Sequence, residues 1–206
     1  MQGGFYPVEG RFEIKYKIPL KSWCVLKEKL NPYFRIDRRF GNYTVHSLYL
    51  DTPKLNSVED KIEGHFYKCK NRIRFYGQNT NEKWFEQKIK LGDKSFKRRE
   101  IYQTDSSYIM KPKCLISYER LAFECFFDPY LRINLDTLIR SSRRDTLDFS
   151  HSENNFILNP TWGIFEMKHK KNFPVWLLNI LKESKMEKVS VSKYTLSMNH
   201  FRGRYG

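Results

Sequence analysis

No run of about 18 apolar residues occurs in this sequence, so a membrane-spanning helix is not expected. Met1 to Gly10 carries neither the basic nor the apolar region of a secretion signal, which makes the cytoplasm the expected location. Cysteine is sparse. Cys24, Cys69, Cys114 and Cys125 are widely spaced, form no C-x-x-C pair and do not align with histidines, so free structural thiols are expected and a zinc site is not. His46, His65, His151, His169 and His200 show no metal-ligand spacing. The loop G-x-x-x-x-G-K-[ST] is missing, which excludes an ordinary P-loop ATPase, and no RRM signature of the K/R-G-F/Y-G/A-F type is present. Acidic residues are also short: 23 against 38 basic ones leave a formal charge of +15. Such a surplus attracts nucleic acid, anionic membrane or phosphorylated small molecules.

Aromatic residues are abundant, with 16 Phe, 13 Tyr and 4 Trp, which argues for a folded chain. The 206 residues fit one large domain with a core of about residues 11–198. Within it, charge alternates. Lys68-Cys69-Lys70-Asn71-Arg72-Ile73-Arg74 sets four cations at even positions, and Glu86-Gln87-Lys88-Ile89-Lys90 and Glu166-Met167-Lys168-His169-Lys170 repeat the parity. In a strand alternate residues share one face, so each segment has a charged face opposite a less polar one.

Arg11 to Pro19 reads as a strand, and Leu20, Trp23, Leu26 and Leu30 recur at helical spacing up to Asn31-Pro32. Further strands are predicted over Tyr43–Leu50, Phe66–Tyr76, Lys83–Leu91, Phe96–Tyr102, Cys114–Phe123, Tyr130–Asp136 and Ile164–Lys170. Asp51-Thr52-Pro53 reads as a helix start, Gly77 to Asn81 as a hairpin loop, Ser141 to Asn155 as an exposed connection, and Pro174 to Lys185 as a helix covering the sheet.

Closing these strands into a barrel would direct Glu13, Lys15, Arg72, Arg74, Glu86, Lys88, Arg120, Arg132, Glu166 and Lys168 inward. Phe12, Ile14, Ile73, Ile89, Ile133 and Met167 would then face outward, under the helices. A dry lumen could not hold so many ions, because unpaired desolvated charges cost several kcal/mol each, so it would have to be wet and ligand-filled. An open antiparallel sheet with one solvated charged face is the commoner arrangement. Against it stands the mutual repulsion of Lys68, Lys70, Arg72 and Arg74, which an anion between them would relieve.

The motifs Arg11-Phe-Glu-Ile-Lys-Tyr, Val45-His-Ser-Leu-Tyr-Leu-Asp-Thr-Pro, Asp60-Lys-Ile-Glu-Gly, Arg72-Ile-Arg-Phe-Tyr-Gly, Phe85-Glu-Gln-Lys-Ile-Lys, Ser117-Tyr-Glu-Arg, Arg132-Ile-Asn-Leu-Asp-Thr, Phe165-Glu-Met-Lys and Ser192-Lys-Tyr follow in that order. In this set the chain resembles the VTC domain family, the polyphosphate polymerase branch of the triphosphate tunnel metalloenzymes, over Arg11 to Met198. The resemblance implies an α+β, mainly antiparallel fold: an eight-stranded closed tunnel with helices packed outside. It implies ATP and inorganic polyphosphate or triphosphate as ligands, Mn²⁺ or Mg²⁺ as cofactor, and transfer of the ATP γ-phosphate to a growing polyphosphate chain. By the same resemblance Arg72, Arg74, Lys88, Arg120 and Lys168 are the catalytic cations, Lys15, Lys97, Arg132 and Lys193 bind substrate, and Glu166 holds the metal. Glu13 and Glu86 are weaker metal candidates that could equally hold neighbouring cations, and Asp136 and Glu119 are expected to pair with lumen cations. By parity Lys97 and Arg99 share a face, with Lys97 ranked first for the tunnel.

Three functions stay open at this level: polymerase, hydrolase of triphosphate or short polyphosphate, and non-catalytic polyphosphate or nucleic-acid binder. CYTH hydrolases open with Glu-x-Glu-x-Lys, whereas this chain has Arg11-x-Glu13-x-Lys15, which favours the VTC branch and removes one carboxylate that could activate water.

Overall fold

A computed structural model describes residues 10–77, 79–103, 110–150, 155–184, 186–190 and 192–203. Strand β1 (Arg11–Pro19) runs into helix α1 (Leu20–Leu30) at Pro19, whose fixed φ of −64° suits a helix start, and the Leu20 N–H still donates across to the Thr161 carbonyl at 2.8 Å. A short β2 (Phe34–Ile36), not anticipated from the sequence, precedes β3 (Asn42–Asp51) and α2 (Asn56–Ile62). The hairpin strands β4 (Tyr67–Tyr76), β5 (Asn79–Leu91) and β6 (Lys94–Ile101) follow, then β7 (Lys111–Cys125), β8 (Arg132–Arg143), β9 (Asn155–Phe156) and β10 (Trp162–His169). Helix α3 (Val175–Glu183), β11 (Glu187–Lys188) and α4 (Lys193–Arg202) complete the order.

The strands close on themselves. Neighbours run β7-β3-β4-β5-β6-β1-β10-β8, and β8 pairs back with β7, every pairing antiparallel, so eight strands form a closed barrel. The β1–β6 seam is short, holding only Arg11↔Ser95 and Phe12↔Lys94; farther along, β1 pairs with β11. Outside the wall, Leu26 and Leu30 of α1 and Leu177 and Leu181 of α3 bury against Ile133, Phe165 and Met167. A second outer cluster joins Leu48, Leu50, Ile73, Phe75 and Leu115. Helix α4 is placed differently: Tyr194, Met198 and Phe201 pack on Tyr49, Ile116, Ile139 and Ile164, which stand on inward-facing strand positions. It therefore closes part of one end of the barrel, beside α2.

Several local expectations are corrected. The second helix begins at Asn56, because Asp51 still belongs to β3 and its carboxylate accepts the Thr52 and Ser57 amides at 2.8 and 3.2 Å. Strand β5 already starts at Asn79, so the hairpin connection is shorter than Gly77–Asn81, with Gly77 at φ 59°. Ser141 and Ser142 are buried strand residues and not the start of an exposed connection: the Ser141 hydroxyl donates to the Leu115 carbonyl and meets Ser197 of α4. Residues 151–154 of that connection, with His151, and Lys185 at the end of the predicted third helix lie outside the described residues.

Candidate active site

The barrel encloses a cavity of about 1030 Å³. Its lining includes all ten residues that the sequence singled out: Lys15, Arg72, Arg74, Lys88, Lys97, Arg120, Arg132, Glu166, Lys168 and Lys193. Register brings opposite charges face to face. Across β1 and β10, Glu13 stands opposite Lys168 and Lys15 opposite Glu166; across β4 and β5, Arg72 stands opposite Glu86; across β7 and β8, Arg120 stands opposite Asp136.

Each lumen carboxylate is shared among cations. Glu86, fully buried, receives Arg72 at 2.7 Å, Arg74 at 3.6 Å, Arg99 at 3.5 Å and the Lys97 ammonium. Glu166 receives Lys168 at 3.0 Å, Arg120 at 3.5 Å and Lys15 at 3.6 Å. Asp136 takes both arms of Arg120 at 2.6 and 2.7 Å, the planar fork matching the carboxylate, and Lys193 at 2.5 Å. Glu13 holds Arg11 at 3.2 Å and Lys88 at 2.5 Å.

Aromatic hydroxyls support these cations from β3 and β7. Arg72 donates to the Tyr49 hydroxyl at 3.0 Å, and Arg74 donates to Ser47 at 3.0 Å and Tyr118 at 3.2 Å. The Tyr118 ring lies beneath both Arg120 and Lys193, at 5.2 and 4.5 Å, which fits a cation–π shelf. Tyr49 in turn stacks on Tyr194 at 4.8 Å, and the Tyr194 hydroxyl donates to Asp51 at 2.8 Å, so α4 is tied to the Arg72 side of the lumen.

Desolvation and charge compete at every group. Burial pushes Lys168 and Lys97 down to about 7, outweighing Glu166 and Glu86 beside them. Burial alone would raise Glu166, yet Lys168, Lys15 and Arg120 hold it well below the usual carboxylate range. The same contest leaves Glu13 at about 2 through Lys88, and Asp136 at about 2 through Arg120 and Lys193.

Two placements differ from the sequence reading. Arg132 stands at the rim, its side chain 52% exposed and 3.8 Å from Asp37, apart from the paired interior. Among the described residues Glu119 pairs with no lumen cation; standing between inward Tyr118 and Arg120 it faces the other way and accepts the Thr44 hydroxyl at 3.0 Å. Lys97 and Arg99 both reach Glu86, while Arg98 points away to Glu100 at 3.0 Å. His169 also points away from the lumen, with Nε2 2.9 Å from Asp128. Sequence reasoning missed Tyr49, Tyr194 and Asp51. The alternation of Tyr49 with Ser47 on β3 was the available signal for the first of these.

Among solved structures, a protein from Pyrococcus horikoshii OT3 is similar with a TM-score of 0.54 and 13% identity, over 92% of this chain and 99% of that one. A putative adenylate cyclase from Vibrio parahaemolyticus gives a TM-score of 0.50 and 12% identity, over 91% and 97%. At this identity the likeness concerns the fold alone. A search of the curated proteins found no match. The VTC domain family model matches residues 10–106 and 98–202, which together carry every lumen residue described above. The chain belongs to the VTC domain family.

Proposed function

We propose that this protein is a metal-dependent ATP:polyphosphate phosphotransferase working inside the barrel. The observation that carries this reading is the pairing of the lumen carboxylates: Glu13, Glu86, Asp136 and Glu166 each already hold two or more cations. Hydrolysis needs a water to be activated, a task suited to an uncommitted base. A polyphosphate end is already an anionic nucleophile and needs only alignment and charge neutralisation. Arg11, where CYTH hydrolases carry a glutamate, spends its guanidinium on Glu13 and so further removes base capacity.

In this reading Arg72, Arg74, Lys88, Arg120 and Lys168 grip the reacting phosphates, with Lys15, Lys97, Arg132 and Lys193 orienting the rest. An oxygen of the chain end bonds to Pγ while the bond from Pγ to the β–γ bridging oxygen breaks, releasing ADP. Among the described residues no cluster of three or more His, Cys, Asp or Glu forms a self-sufficient metal cage. Glu166 and Glu13, diagonal across β1 and β10, supply hard oxygens that fit Mg²⁺ or Mn²⁺ when phosphate oxygens and water complete the shell. Such an ion supplies neutralisation of phosphate charge.

Purified protein with ATP and Mn²⁺ tests the proposal by separating long-chain polyphosphate from free phosphate. ADP release with chain growth is expected. Free phosphate from ATP or triphosphate without chain growth would replace the polymerase by a hydrolase, and binding without turnover by a binder. Glu166→Ala should abolish metal-dependent turnover while retaining anion binding; unchanged turnover removes Glu166 from the metal site.

A further inference from the structure

At the end of the cavity beside α2, the charge pattern changes. Inside the barrel even the like-charged register pairs, Lys88 opposite Lys97 and Lys168 opposite Arg132, have carboxylates in ion-pair range, but at the start of β4 the register sets Lys68 opposite Lys90 and Lys70 opposite Lys88. Lys61 of α2 joins them, and all five line the same cavity. Lys88 is neutralised by Glu13, whereas Lys61, Lys68, Lys70 and Lys90 have no carboxylate in ion-pair range among the described residues. Their observed partners are neutral: Lys61 donates to Ser190 and Lys70 to Ser192, both at 2.6 Å, and Lys68 to the His65 carbonyl. Burial and then the neighbouring cations Lys15, Lys88, Lys61 and Arg72 push the Lys70 ammonium down to about 7.

Like charges set directly opposite destabilise a sheet, and half-buried cations lose hydration without compensation. An anion between them would remove both penalties. The serines follow β11, which pairs with β1 beyond the short β1–β6 seam, and Ser192 is the N-cap of α4, so the cluster lies at the end of the lumen between α2 and the start of α4. A volume of about 1030 Å³ stands at the top of the roughly 300–1,000 Å³ range that houses drug-sized ligands, and exceeds the need of one triphosphate.

We propose that Lys61, Lys68, Lys70 and Lys90, with Ser190 and Ser192, form an outer subsite for a linear polyphosphate, holding phosphate units beyond those gripped by the carboxylate-paired interior. The inference rests on the reading of that interior as a phosphate site and adds a length selectivity: the ligand this protein is shaped for is a chain longer than three phosphates.

Calorimetric titration of triphosphate and of long-chain polyphosphate into the wild-type protein, Lys70→Gln/Lys90→Gln and Lys61→Gln/Lys68→Gln tests it. The expected result is a loss of long-chain affinity of about tenfold or more in each double variant, with triphosphate affinity within about twofold of wild type. Because each change relieves like-charge repulsion, neither variant should melt below wild type, which separates a ligand role from a structural one. Equal weakening of both ligands, or of neither, overturns the outer subsite while leaving the interior reading intact. If neither ligand binds wild-type protein, both readings fall. Preferential retention of single-stranded RNA over polyphosphate by these lysines would also overturn the proposal.

Discussion

Glu86 gathers more positive charge than any other carboxylate described in the lumen, and it does so without solvent contact. Glu86→Gln should leave Arg72, Arg74, Lys97 and Arg99 with no shared counter-ion. Removing one partner of a buried charge pair costs about 3–5 kcal/mol, so urea unfolding should show a loss of that order. Polyphosphate can replace the missing negative charge, and ligand-linked stabilisation should therefore recover part of the loss in the variant. A variant as stable as wild type would mean that the four cations do not depend on Glu86. Arg72→Ala and Arg74→Ala act in the opposite sense, each removing charge-assisted bonds worth roughly 1.5–3 kcal/mol and weakening phosphate binding accordingly. Full affinity in both would contradict their place in the site. The inward parity of these residues was legible because strand alternation is a local property. Their partners were not: nothing in Glu86-Gln87-Lys88 announces that Arg99, from another strand, will share Glu86 with Arg72.

At the scale of elements, the strongly alternating strands were readable and the irregular ones were not. Strand β8 carries an extra residue against β7, marked by Leu138 at φ 49°, so that Asp136 and Ile139 both face inward although their numbers differ by three. Strict alternation breaks there, which is why the buried Ser141 read as the start of a polar connection. Helix α4 was equally hidden: Lys193-Tyr194-Thr195 has little helical patterning, and its buried face exists only because the barrel end exposes Tyr49, Ile116 and Ile164 to it. The bond from Tyr194 to Asp51 fastens this cap. Tyr194→Phe preserves the ring stack on Tyr49 and removes only the hydroxyl, so the expected cost is about 1–2 kcal/mol by chemical unfolding. A larger effect on phosphate affinity than on stability would show that α4 positions Arg72 through Tyr49 in addition to closing the end.

For the whole molecule, a closed barrel of paired charges makes stability and binding respond oppositely to pH. Lys70, Lys97 and Lys168 are held at about 7 in the folded chain, whereas unfolded lysines titrate near about 10.4. Between those values the unfolded state binds more protons, so stability without ligand should rise as pH increases above about 7. Phosphate needs the same lysines protonated, so affinity should fall over that interval, and binding should take up protons. The carboxylates act elsewhere: Glu13 and Asp136, lowered to about 2, contribute stability that is present above the ordinary carboxylate range near about 4 and is lost as pH falls through about 2. Denaturant unfolding and calorimetry in buffers of different ionisation enthalpy, both between about pH 7 and about pH 9, separate the two trends. Rising stability with falling polyphosphate affinity and net proton uptake is the expected pair. If affinity stays flat across this interval with no proton exchange, the depressed lysines are not the groups that meet the phosphate.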